Sequence, residues 1–339
     1  MSICVGVVGA GFISEVHLKA LSVDERVNLA WVIDTNSEVA RQQAVKYGIP
    51  QTATDYRRML DDPSVDVVDI VVPHFLHLPM TLQALDAGKD VMLEKPIALD
   101  LNEADKLITK AETTGKQLLI KKYLRFSKPH QMAKELLDKD AIGRTYLGVA
   151  SLFAQQLHWE NDPENWHGVW EKAGGGVVMD AAIHLVDLMQ FLFGRAKAIN
   201  AITKRLVAEN PDKAEDVGVL NIEYVDGQIA NIVCANCDNS LPRIFFRKEI
   251  YGTKGSLLIH DLNGETKLDL RVGGKTDEVV SIKNWWEEAN FAAINHLVDC
   301  LVEGEKPVAS LDEARHDLEI VLAVYQSNKE GKRIALSAD

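Results

Sequence analysis

Five times in its first 120 residues the chain runs a short apolar segment into a helical one. Ile3–Val8, Val27–Ile33, Val65–Val72, Asp90–Leu93 and Gln117–Ile120 carry too little polar surface to leave a face in water. Strands of that kind are buried on both faces. The helical patterns between them stop on glycine, Leu76–Ala87 at Gly88 and Leu101–Thr114 at Gly115. With right-handed crossovers this alternation predicts an α/β domain built on a doubly wound parallel sheet, with ligands at the carboxyl ends of its strands. Ser14, Asp34, Pro73, His77, Lys95 and Lys121-Lys122-Tyr123 all fall at those ends or just past them.

The first turn reads Gly9-Ala10-Gly11-Phe12-Ile13-Ser14 and opens a helical pattern. Glycine at the first two positions permits a tight turn and close approach of a pyrophosphate, which the helix N-terminus then favours. Serine at the third is small enough for helix–strand packing. The second strand ends on Asp34, at the spacing a dinucleotide fingerprint asks for. A carboxylate there accepts hydrogen bonds from ribose hydroxyls and repels a 2′-phosphate, and Thr35 and Asn36 supply no arginine. NAD is favoured over NADP. Asp34 as the N-cap of the next helix is a compatible second role.

The fourth strand stops abruptly at Glu94-Lys95-Pro96, a charged pair followed by proline. Past residue 123 the texture turns strand-rich, with Asp226-Gly227 a hairpin signal. A large open sheet exposes a face, which predicts burial against another subunit, as a homodimer or homotetramer. Within this half, Asp180 and His184 stand four apart in a helical pattern and so share one face. A carboxylate beside an imidazole raises its basicity for proton abstraction, although a surface ion pair has the same spacing. The stretch His158–His167 reads as a polar, aromatic loop in which Trp166 is a candidate sugar platform. His158, Glu160 and His167 lack a fixed ligand spacing, so no metal is assigned. Cys234-Ala-Asn-Cys237 has no second pair and lies in strand-like sequence.

A length of 339 residues points to two domains, and a formal charge of −13 argues against a nucleic-acid partner. No uninterrupted apolar run approaches the roughly 20 residues that cross a bilayer. Four scattered cysteines do not make a disulfide framework, so a cytoplasmic protein is expected.

Taken in order, Gly9-x-Gly11-x-x-Ser14, Asp34, Pro73-x-x-x-His77, Glu94-Lys95-Pro96 and Gly174-Gly175-Gly176…Asp180-x-x-x-His184 resemble the glucose–fructose oxidoreductase/inositol dehydrogenase (Gfo/Idh/MocA) family over essentially the whole chain. The resemblance implies an NAD-binding Rossmann domain over residues 1–122. It implies an α+β substrate and oligomerisation domain with a large, mostly antiparallel open sheet over 123–339, whose last helix packs back on the first. Hydride would pass between nicotinamide and a hydroxyl-bearing carbon of a sugar, cyclitol or derivative. Lys95, Asp180 and His184 would be catalytic, and a cis peptide would precede Pro96. Gly9, Gly11, Phe12, Ile13, Asp34, Pro73, His77, Glu94 and Lys95 would hold the cofactor. Lys95, Lys122, Tyr123, Trp166, Asp180 and His184 would face the substrate. Two rivals share the scaffold: a glycoside-modifying enzyme that uses NAD without net redox, and a non-catalytic NAD-binding regulator.

Overall fold

The computed structural model describes residues 2–162, 165–209, 214–237, 244–262 and 265–337. Pro163, Glu164 and the side chain of Glu160, which belong to the aromatic stretch, lie outside them. The chain divides into two compact units, Met1–Tyr123 with Glu287–Arg315, and Leu124–Trp286 with His316–Asp339.

In the first unit, β1 (Ile3–Val8), β2 (Val27–Ile33), β3 (Gln51–Ala53), β4 (Val67–Ile70), β5 (Asp90–Leu93) and β6 (Leu118–Ile120) form one parallel sheet in the order β3-β2-β1-β4-β5-β6. The intervening helices are α1 (Phe12–Ser22), α2 (Ser37–Tyr47), α3 (Arg57–Leu60), α4 (His77–Asp86) and α5 (Leu101–Thr114). The edge strand β3 is too short and polar to show in the sequence pattern. The strand expected over Val65–Val72 keeps only its middle in the sheet.

Register decides what this sheet presents. Val8 pairs with Ile33 and with Ile70, Ile70 with Leu93, and Leu93 with Ile120. Five strands therefore end on one row, and the next residues, Gly9, Asp34, Glu94 and Lys121 among them, leave the sheet side by side. One face of the sheet packs Ile3, Val5 and Val7 against Leu18 and Leu21 of α1 and against Ile294, Leu297 and Val298. Those last three lie on the helix Trp285–Glu303, which thus helps to complete this unit's core.

The second unit carries α6 (Lys128–Asp138), β7 (Thr145–Ala154), α7 (Leu157–Asn161), α8 (Trp170–Ala173), α9 (Ile183–Phe193), β8 (Ala196–Lys204), β9 (Val217–Tyr224), β10 (Ile229–Asn236), β11 (Ile244–Gly252), β12 (Gly255–Leu262), β13 (Glu265–Val272) and β14 (Lys275–Lys283). The helix Trp285–Glu303 is α10, and α11 (Leu311–Glu330) and β15 (Ile334–Ala335) follow. The sheet has nine strands in the order β14-β13-β12-β11-β7-β10-β9-β8-β15, antiparallel except where β7 meets β10. Strict alternation buries Gly218, Leu220, Ile222 and Tyr224 of β9 on one face and leaves Val217, Val219, Asn221 and Glu223 more open on the other. On that open face Ile202 is 59% and Ile229 50% exposed.

Two expectations need correction here. The stretch His158–His167 is not wholly a loop, since it begins within α7 and enters a 3₁₀ turn at Trp166. And the segment Trp170–Phe193 is long and apolar enough to cross a membrane by composition, although its glycines and charges interrupt any continuous apolar run. Of its most apolar window 83% is buried inside the protein, so here it is a core element.

Candidate active site

At the end of β1 the chain turns through Gly9 at φ +92°, and a Cβ there would sit 1.9 Å from the Val71 carbonyl oxygen. Only glycine fits. Gly11 is different: a Cβ would meet nothing within 4 Å, because the space over the start of α1 is open. Gly11 is the N-cap of that helix and offers no side-chain acceptor to the first-turn amides, which suits an anionic group approaching along the axis. Phe12 beside it is 45% exposed and Ile13 partly so, while Ser14 is buried with its hydroxyl 3.4 Å from the Val71 carbonyl.

Asp34 accepts the Ala10 amide through Oδ2 at 2.9 Å and the Asn36 amide through Oδ1 at 2.8 Å, so it fixes the glycine turn from the neighbouring strand. It is not the cap of α2. Asn36 takes that role, its side chain accepting from the Glu38 and Val39 amides. The open space over Gly11, the uncapped helix start and the half-buried Asp34 together fit a dinucleotide.

The Glu94-Lys95-Pro96 segment leaves β5 with a cis bond between Lys95 and Pro96, as the resemblance implies. Glu94 is buried, and both its oxygens are used. Oε1 accepts Lys121 Nζ at 2.6 Å and lies 3.0 Å from His17 Nε2, while Oε2 accepts the Lys95 amide at 3.1 Å. His17 Nδ1 lies 2.8 Å from Asp69 Oδ2. Burial works against charge here, yet the Lys121 and His17 cations hold the Glu94 carboxyl well below its usual range. For His17 burial is again the largest influence and lowers its pKa, but Asp69 and Glu94 outweigh it and the net shift is upward.

His77, expected at the cofactor, is buried with Nδ1 2.7 Å from the Pro96 carbonyl and Nε2 3.0 Å from the Val72 carbonyl. Burial lowers its pKa. Its ring ties the end of β4 to the Lys95 loop. Pro73 caps the 3₁₀ turn that leads to it. Lys95 is half-buried, and Lys122 and Tyr123 are buried just past β6.

In the second unit a π turn over Val178–Ala182 leads into α9, so the Asp180–His184 segment is not the plain α-helix its spacing suggested. Such wide turns recur at functional sites. From Gly175 to Gln190 every residue is buried except Asp180 and His184, which are half-exposed. Asp180 Oδ2 accepts the Gln156 amide at 3.0 Å. The start of this element is held by Glu215, a buried carboxylate that accepts the Gly176 amide at 2.9 Å, the Val178 amide at 3.0 Å and the Tyr325 hydroxyl at 3.0 Å. Burial raises its pKa. In the aromatic stretch His167 is stacked between Trp166, 3.9 Å away, and Trp159, 4.7 Å away.

Neither Cys234, a buried thiol on β10, nor Cys237 just past it forms a disulfide. Among the described residues the grouping with metal-ligand potential is His296, Asp299 and Glu305, in and after α10, where His296 Nε2 already accepts the Val308 amide.

Residues 3–122 match the family model for an oxidoreductase family with an NAD-binding Rossmann fold, and residues 130–258 match that for the GFO/IDH/MocA C-terminal domain. The chain belongs to the Gfo/Idh/MocA family. It is an oxidoreductase whose Rossmann unit binds NAD. Scyllo-inositol 2-dehydrogenase (NAD(+)) of Bacillus subtilis is 26% identical, over 97% of this chain and 95% of that protein. Levoglucosan dehydrogenase of Pseudarthrobacter phenanthrenivorans is 25% identical over 81% and 77%. The fold matches the structure of levoglucosan dehydrogenase with NADH and levoglucosan at a TM-score of 0.89 and 20% identity, covering 99% of each chain.

His17, Asp69, Gln156 and Glu215 were not singled out from the sequence, and Lys121 was marked only as a strand-end residue. Asp69 inside an apolar strand and His17 on a helix face otherwise filled by Leu18 and Leu21 were the signals that could have found the first two.

Proposed function

We propose that this Gfo/Idh/MocA enzyme moves a hydride between NAD and a hydroxyl-bearing carbon of a sugar, cyclitol or close derivative. The observation that carries the reading is Lys95 at the carboxyl end of β5, its amide fixed by the buried Glu94, on the strand-end row that also holds Gly9 and Asp34. Relatives named for inositol and levoglucosan oxidation support the substrate class. Bound NAD supplies the hydride acceptor or donor. Gly9 and Gly11 with the start of α1 receive its pyrophosphate, and Asp34 its ribose hydroxyls.

Lys95 donates a hydrogen bond to the reacting oxygen and stabilises the charge that develops there. His184 takes the hydroxyl proton, or returns it in reduction, with Asp180 holding the ring and Gln156 holding Asp180. Lys122, Tyr123 and the Trp166 ring complete the substrate contacts, with Trp166 offering its apolar face to ring C–H groups. The residues 123–339 carry substrate recognition and assembly, and the half-open face around Val219, Val233, Ile202 and Ile229 is the surface through which copies associate as a homodimer or homotetramer. Four scattered cysteines without a disulfide suit a reducing, cytoplasmic setting, and the net charge of −13 suits a small-molecule rather than nucleic-acid partner.

The test is a dehydrogenase screen with myo-inositol, scyllo-inositol, levoglucosan and common aldoses, following NADH. Steady NADH formation with one of them is the expected result. Substrate conversion without NADH build-up would replace this reading by the one with no net redox, and tight NAD binding with no conversion across the panel would favour the regulator.

A further inference from the structure

We propose that His17 is a positioning residue for the reaction, acting on Lys95 through Glu94. The inference rests on the reading of Lys95 as the group that meets the substrate oxygen. Four ionisable side chains from four different elements meet in the interior of the first unit: His17 of α1, Asp69 of β4, Glu94 after β5 and Lys121 after β6. Their exposures are 1%, 0%, 8% and 3%. A buried charge is costly unless it is paired. Two carboxylates against one ammonium leave one negative charge, which a protonated His17 cancels, with Nδ1 2.8 Å from Asp69 and Nε2 3.0 Å from Glu94. Lys121 Nζ, 3.1 Å from the same Nε2, works against that charge, and the two carboxylates outweigh it.

With Oε1 of Glu94 held by His17 and Lys121, Oε2 has one orientation, and in it accepts the Lys95 amide at 3.1 Å. A core built for stability alone is served as well by apolar groups of the same volume. What the ionic version adds is direction. It also ties α1, which begins at the Gly11 turn, to the loop that bears Lys95. Displacement of a reacting group by about 1 Å can cost on the order of 100-fold in rate.

The experiment measures amide hydrogen exchange at Lys95 in the full-length protein, with neither substrate nor NAD needed. In His17→Leu, exchange at Lys95 should rise about tenfold or more while Val91 and Leu93 of β5 stay within about threefold. His17→Gln retains a donor near the Nε2 position and should restore most of the protection. On a substrate from the screen, His17→Leu should lower kcat about tenfold or more with KM and NADH affinity nearly unchanged, and should cost nothing further in a Lys95→Ala background. If the leucine variant does not fold, Glu94→Gln provides the same comparison, since it keeps the shape and removes the charge. Unchanged exchange at Lys95, or loosening of the whole strand without rescue by glutamine, overturns the proposal. A Lys95→Ala enzyme with full turnover would overturn the reading of Lys95 instead, and would leave the exchange result standing.

Discussion

Glu215 and Gly176 are locked to each other through both backbone and side chain. The Glu215 carboxylate accepts the Gly176 amide at 2.9 Å, and a Cβ on Gly176 would lie 1.8 Å from the Glu215 carbonyl oxygen. The element that presents Asp180 and His184 starts from this contact, so its angle is set by a pair that cannot be moved apart or pushed closer.

Glu215→Ala would leave the Gly176 and Val178 amides and the Tyr325 hydroxyl without their acceptor. Each buried unsatisfied group costs about 1–3 kcal/mol, so a loss of about 3 kcal/mol or more is expected in urea unfolding. Gly176→Ala must displace the backbone of residue 215 and should cost about 2–4 kcal/mol. A change in either variant within about 0.5 kcal/mol of the parent would show that the contact is not what fixes this element.

The two glycines of the nucleotide turn should separate stability from binding. Gly9→Ala collides with the Val71 carbonyl at a backbone angle that alanine avoids, so it should lower Tm as well as NADH affinity. Gly11→Ala finds open space at φ −79°, and its stability should stay within about 1 kcal/mol of the parent. Its methyl group nevertheless stands where the pyrophosphate approaches, and NADH affinity should fall by about tenfold or more. Fluorescence titration of NADH beside a thermal melt distinguishes the two outcomes.

Asp34 serves both fold and cofactor choice. Asp34→Ala removes the acceptor of the Ala10 amide and the carboxylate that repels a 2′-phosphate. The ratio of NAD to NADP affinity should drop about tenfold or more, with a smaller loss of absolute NAD affinity. An unchanged ratio in parallel titrations of the two cofactors would exclude this role.

The pH dependence of stability follows from His17. Its folded pKa is raised above the ordinary 6.5, so protonation is favoured in the native state. Its contribution is therefore complete below the unfolded pKa and is lost as pH rises through the folded one. Glu94 is shifted downward, so its contribution is present above its ordinary 4.5 and is lost only in more acidic solution. Between about pH 5.5 and about pH 9 the histidine is thus isolated. The Tm difference between the parent and His17→Gln should be widest at the acid end and shrink as pH rises. A difference that is flat across that range would mean that folding does not shift His17, and one that grows with pH would mean that it stays neutral in the fold; either would overturn this assignment.

The sheets were legible because their signals are local. Alternation in β9 and continuous apolar runs in β1 and β5 follow directly from which faces are buried. The glycine turn, Asp34 and Glu94-Lys95-Pro96 were legible because each marks a strand end. What the sequence hid was long-range pairing. His17 meets Asp69 and Glu94 only after three crossovers bring the strand ends into one row, and Glu215 meets Gly176 from 39 residues away. The π turn escaped for another reason: Asp180 and His184 keep their four-residue spacing in either helix type, and only the backbone bonds show which one forms. The position of His77 just past a strand was legible, but its burial as a strap between two carbonyls depends on packing that spacing does not encode.

The division of labour between Lys95 and His184 is the sharpest test of the mechanism. If His184 moves the proton, His184→Ala removes the base and should lower kcat by about 10²–10⁴-fold, with the acid limb of the pH–rate profile lost. If Lys95 stabilises developing charge without taking the proton, Lys95→Met should lower kcat comparably but leave that limb in place. Gln156→Leu releases Asp180 Oδ2 from its amide partner and touches neither base, so it should lower kcat more modestly, by about tenfold, and move the same limb. His184→Ala and Gln156→Leu should bind NADH as the parent does, since the nucleotide turn, Asp34 and Lys95 are untouched. A pH–rate profile that loses its acid limb in Lys95→Met and keeps it in His184→Ala would reverse the two roles and make the lysine the base.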